Sequence, residues 1–102
     1  MTDLKGQPVL IRATNAGVHF GILASEEFTP AGKVAVLIAT RRVWYWSGAA
    51  SLSQMANEGV KNPGGCKFSV EVPQNEIVGV IETIPLTPAA YENLKNVPEW
   101  KM

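Results

Sequence analysis

The chain has 102 residues, of which 46% are apolar and 18% charged, with nine basic residues balanced by nine acidic ones. That length and balance describe one globular domain with a modest core. They exclude a disordered chain and a strongly basic surface for DNA, RNA or anionic membrane. A single thiol, Cys66, allows no internal disulfide and no usual zinc set, which fits a reducing compartment. The start, MTDLKGQPV, carries an acid and a lysine before any apolar run, so it does not read as a secretory signal. The apolar stretch VAVLIA at 34–39 is far too short to span a membrane. A cytoplasmic protein is expected.

Strand signals fill the first half. PVLIRAT at 8–14 is rich in β-formers, and Asn15, Ala16 and Gly17 follow it as turn residues. VHFGILAS at 18–25 alternates Val18, Phe20, Ile22 and Ala24 with His19, Gly21, Leu23 and Ser25. Gly21 inside that strand predicts a bulge or bend. The Pro30–Ala31–Gly32 turn leads into a strand over 33–46, whose first half is apolar on both faces. This strand is expected to be central in its sheet and the most buried of all.

A helix is predicted over SLSQMANEG, 51–59, with Ser51 as N-cap, Gln54 as capping-box partner and Gly59 as C-terminal stop. VKNPGG at 60–65 reads as a loop. KFSVEV at 67–72 alternates with Phe68, Val70 and Val72 inward. A Pro73–Gln74–Asn75 turn would join it to EIVGVIETI, 76–84, as a second hairpin. Thr87 then caps a short helix with Pro88 in first position, and Tyr91 and Leu94 face inward. The order βββ-α-ββ-α predicts an α+β fold: a five-stranded, strongly bent antiparallel sheet or small open barrel with two short helices. A flat sheet with both helices on one face is the alternative.

The stretch RRVWYW at 41–46 is the strongest candidate site. In an extended strand Arg42, Trp44 and Trp46 share one face, and Arg41, Val43 and Tyr45 the other. Guanidinium stacks on indole, and indole stacks on bases or on partner side chains. The competing reading is that the rings fill the strand end while the arginine stems cover them. An intermediate arrangement is expected, with Arg41 and one tryptophan facing out. Lys67 joins Arg41, Arg42, Trp44, Tyr45 and Trp46 in the candidate binding set.

Chemistry finds little support. His19 is the only histidine and has no ligand-type neighbour in sequence, so a structural role is expected. Cys66 is expected to be a buried thiol and not a nucleophile. The carboxylates Asp3, Glu26, Glu27, Glu58, Glu71, Glu76, Glu82, Glu92 and Glu99 show no metal-binding spacing. Glu82, in a row with Val78, Val80 and Ile84, needs a partner such as Arg42. PGG at 63–65 lacks the helix and Lys–Ser/Thr of a phosphate loop. No catalytic residue, metal or cofactor is predicted.

Several motifs carry a resemblance across most of the chain beyond about residue 10. They are GVHFG with Leu23, RRVWYWSGA running into SLSQ, the Gly59 and Pro63 positions, CKFS at 66–69, IETIPLT at 81–87, and VPEW at 97–100. Together these resemble a family of small uncharacterised proteins of tailed phages and prophages. Ala39 and Thr40 stand where that pattern would have a more polar pair. The resemblance implies a phage-encoded accessory protein acting in host-takeover or anti-defence. Such a protein would bind a host protein or sequester a small nucleotide, as a homo-oligomer, with long nucleic acid a weaker candidate.

Overall fold

The computed structural model describes residues 4–102. Residues 1–3, which include Asp3 and the start of the N-terminus read above, lie outside the described residues. Three strands, β1 (Pro8–Ala13), β2 (Gly17–Thr29) and β3 (Gly32–Tyr45), form an antiparallel meander. Helix α1 (Leu52–Glu58) and a 3-10 turn (Pro63–Gly65) follow. Then come β4 (Lys67–Phe68), β5 (Val72–Val78), β6 (Val80–Pro85) and helix α2 (Pro88–Lys95).

The helices form where the capping chemistry predicts. Ser51 Oγ accepts the Gln54 N–H at 3.1 Å, and Gln54 Oε1 accepts the Ala50 N–H at 2.7 Å. Thr87 Oγ1 accepts the Ala90 N–H at 3.1 Å, with Pro88 in the first turn. Both helices cover one face of the sheet. There Leu10, Phe20, Val43 and Phe68 meet Met55, Ala56, Ala90 and Leu94. A second apolar cluster, Val9, Ile11, Ala13, Leu23, Ala35, Leu37, Ile77 and Val80, lies on the sheet's other side. Successive β1 side chains enter opposite clusters, so β1 and not β3 is the most buried strand.

β3 is central, as expected. β2 lies along one edge, and β4 and β5 share the other, one after the next. The bend at Gly21 is present too. The β2–β3 register shifts between Phe20 and Ile22, and Ala39 opposite has φ +51. A Cβ on Gly21 would come within 2.9 Å of both the Ile38 carbonyl oxygen and the Thr40 Cβ.

The sheet has six strands and not five, and it is not closed. The expected 67–72 strand ends at Phe68. Ser69 Oγ accepts the Arg42 N–H at 2.8 Å, in place of the strand carbonyl that a continuing ladder would offer. Val70 and Val72 are therefore exposed and not inward. Pairing with β3 resumes at Val72 and runs straight through the predicted Pro73–Gln74–Asn75 turn. Proline is tolerated there because β5 uses only one of its edges. The turn falls at Gly79 instead, with φ +82. No β5–β6 hairpin forms. The continuous segment 72–85 lines β3 with its first half and β1 with its second. The Gly79 corner bridges the two, its N–H donating to the Lys33 carbonyl and its carbonyl accepting the Thr14 N–H, each at 2.9 Å.

Candidate functional site

Alternation along β3 separates the two arginines, and the packing of α2 decides which goes inside. Arg41 is 3% exposed. Its Nε donates to the Ser69 carbonyl at 2.8 Å. Nη1 reaches the carbonyls of Leu94, Lys95 and Val97 at 3.2, 3.3 and 2.8 Å, and Nη2 that of Pro98 at 3.4 Å. The last four are carbonyls at and beyond the end of α2, so Arg41 caps that helix and ties the tail to β3. The guanidinium also lies 5.4 Å from the Phe68 ring centroid. Burial lowers its pKa, and Glu99 and Glu71 oppose that. The expected outward-facing Arg41 is thus an interior residue.

Arg42 is half-buried on the opposite face and stacks on Trp44, its guanidinium carbon 3.8 Å from the ring centroid. Trp44 is 54% exposed and meets Trp100 edge-on, with centroids 6.4 Å apart. Trp100, 52% exposed, carries Lys67 Nζ at 5.3 Å. The outcome is an exposed row, Arg42–Trp44–Trp100–Lys67, in which each indole is backed by a cation. The tail reaches this row because the Trp100 N–H donates to the Phe68 carbonyl at 2.8 Å, beside a parallel bridge from Phe68 to Glu99. Sequence reasoning missed Trp100 as part of the site. Its only signal was the VPEW tail, which has no periodicity to place it.

The β3–β4 register shifts between Val43 and Tyr45. Trp44 and Tyr45 consequently both face solvent, and Trp46 turns inward against the helix-side core. Its Nε1–H donates to the Ala49 carbonyl at 3.2 Å. Arg42, Trp44, Tyr45 and Lys67 of the candidate set thus share one surface. Arg41 and Trp46 do not belong to it. Glu82 does not meet Arg42. It lies opposite Arg12 on β1, at 3.2 Å from Nε, because a bulge beside Arg12 turns Val80 in and leaves Glu82 out.

A cleft of about 550 Å³ adjoins the row at Arg42. The β1–β2 turn, with Asn15 and Ala16, forms one wall, and Asn75–Gly79 forms another. His19 also lines it, almost wholly buried, and its Nε2 bonds the Ala16 carbonyl at 2.8 Å. Desolvation lowers the His19 pKa below its ordinary 6.5, with Arg42 adding to the effect and the Ala16 carbonyl opposing it. The ring is neutral at pH 7, and the carbonyl partner fixes the proton on Nε2.

Cys66 is half-buried, not fully buried as expected. Its sulfur accepts the Ser47 N–H at 3.3 Å and lies 3.4 Å from the Asn62 carbonyl, so it joins two loops. Among the described residues, no three of His, Cys, Asp and Glu gather where they could hold a metal ion, and no helix is long and apolar enough to cross a membrane.

Among known proteins, no curated protein and no solved structure matches this chain. A family model does match, over residues 6–94, which takes in all six strands and nearly all of α2. The chain therefore belongs to the family described as a domain of unknown function, DUF6948.

Proposed function

We propose that this protein is a non-enzymatic binding module, encoded by a phage and acting in the host cytoplasm by occupying a host protein. Host-takeover and anti-defence factors work in this way. One observation carries the reading: Trp44 and Trp100 are more than half exposed, yet each is held in place by a stacked cation and by the other ring. Large rings kept in one orientation in water lose little freedom when a partner covers them. Exposed tryptophan, tyrosine and arginine are also the residue types that dominate protein–protein hot spots. Tyr45, opposite Lys67 in the strand register, extends the patch. The groups best suited to chemistry have structural duties instead: His19 Nε2 holds the Ala16 carbonyl and Cys66 links two loops.

A second reading, a nucleotide-binding protein, draws support from Arg42, which is half-buried beside the cleft and whose guanidinium donates no hydrogen bond to any described residue.

The test is capture from host lysate on the immobilised protein, run beside Trp44→Ala/Trp100→Ala. A host protein retained by the wild type and lost by the double variant, at an unchanged melting temperature, is the expected result. Equal retention by both removes the row from the function.

A further inference from the structure

We propose that the cleft beside Arg42 binds a nucleoside phosphate, with the phosphate on the Arg42 guanidinium and the base toward Glu76 and the asparagine side chains. This deepens the nucleotide reading given above and rests on it. The two arginines differ in what their donors do. Arg41 places its guanidinium on five carbonyl oxygens. Arg42, next in sequence, makes no hydrogen bond or ion pair through its guanidinium with any described residue, although it is half-buried and lines a cleft. Its donors reach solvent, since Arg42 is not among the buried unpaired groups, so the planar fork is free to take acceptors from outside the chain.

The fork is also held ready. Trp44 lies on it at 3.8 Å, and Gly17 lies close on another side, where an added Cβ would be 3.2 Å from Nη2. Any other residue at position 17 would press on the guanidinium. An arginine fixed before its ligand arrives gives a bidentate oxyanion contact with little loss of side-chain freedom.

Glu76 sets the ligand class. It lines the same cleft, and its carboxylate has no hydrogen bond or ion pair with any described residue, so it does not neutralise Arg42. An inorganic dianion would meet attraction at one end of the cleft and repulsion at the other. A nucleotide presents an oxyanion to Arg42 and ring or exocyclic N–H donors to Glu76. Asn15 and Asn75 offer further amide donors and acceptors. The neutral His19 adds no second positive charge. The cleft's volume of about 550 Å³ falls within the range of small-molecule sites and holds a mononucleotide.

Titration calorimetry with AMP, GMP, CMP, UMP and inorganic phosphate on the full chain tests this, with amide NMR of the same samples. At least one nucleotide should bind more tightly than inorganic phosphate, shifting the amides of Gly17 and of residues 75–79. Arg42→Lys, which keeps the charge but loses the fork, should weaken that nucleotide about tenfold. Glu76→Gln should change the order of preference among the four bases. Lys95→Ala, on helix α2 and away from the cleft, should stay within about twofold of wild type. No binding by any nucleotide overturns both this site and the nucleotide reading. Nucleotide binding that ignores Arg42→Lys, or that shifts amides elsewhere, overturns this site and leaves the nucleotide reading standing. Inorganic phosphate binding as tightly as every nucleotide overturns the assignment of Glu76 and the base.

Discussion

Arg41 and Arg42 are chemically identical and adjacent, yet their removal should have opposite consequences. Truncating Arg41 takes the donor from the buried Val97 carbonyl and removes its contacts to the carbonyls of Ser69, Leu94, Lys95 and Pro98. Arg41→Ala should cost at least about 3 kcal/mol in urea denaturation, and Arg41→Lys should recover little of it, because an ammonium cannot span those acceptors. Arg42→Ala should cost under about 1 kcal/mol, since only an open stacking contact is lost. Equal destabilisation by the two alanine variants would contradict these assignments. His19 makes a pH prediction. Its folded pKa lies below 6.5, so the unfolded chain takes up the proton first as pH falls. The stability this group contributes is full above the unfolded value and is lost as pH drops through and below it toward the folded value. Melting temperature should fall between about pH 7.5 and pH 5.5 more steeply in the wild type than in His19→Gln, whose amide can keep a bond to the Ala16 carbonyl. Parallel profiles would show that His19 is not the group responsible.

The bent strand β3 depends on a backbone that its sequence fits imperfectly. Ala39 has φ +51, a left-handed conformation that costs a residue with a Cβ about 1 kcal/mol and that asparagine tolerates better. Ala39→Asn should therefore raise stability by about 0.5 kcal/mol, readable as a higher denaturation midpoint. The facing Gly21 should behave in the opposite sense. A Cβ there strikes backbone at 2.9 Å, which neither strand can clear without breaking the bulge. Gly21→Ala should cost about 2 kcal/mol or more by the same measurement. A Gly21→Ala protein as stable as the wild type would mean that the two strands do not approach so closely.

The segment 72–85 gives the molecule its form. By lining β3 and then β1, it draws the two ends of a three-stranded meander toward each other without closing a barrel. Ile38, Val72 and Val78 stay partly exposed beside β5, which pairs through one edge only. An open edge flanked by apolar side chains, on a chain with no net charge to keep copies apart, favours self-association. Static light scattering at micromolar concentration should give at least twice the chain mass, and Val78→Lys on β5 should return the protein to a monomer. A monomeric wild type would refute this.

The helices and the first three strands could be read from the chain because their signals are local. Ser51 with Gln54 and Thr87 with Pro88 mark helix starts within four residues, and the alternation from Val18 onward needs no distant partner. The region 67–85 could not be read in the same way. There Ser69 replaces one ladder bond, β5 finds β3 again beyond the gap, and a proline is harmless because the strand's other edge is unpaired. Those outcomes depend on which strand lies alongside, and no local pattern records that. RRVWYW shows the division most plainly. Alternation requires Arg41 and Arg42 to face opposite ways, but it is silent on which one is buried. The end of α2, 53 to 57 residues further on, presents its carbonyls to Arg41 and so leaves Arg42 and Trp44 in solvent, where the tail brings Trp100 beside them.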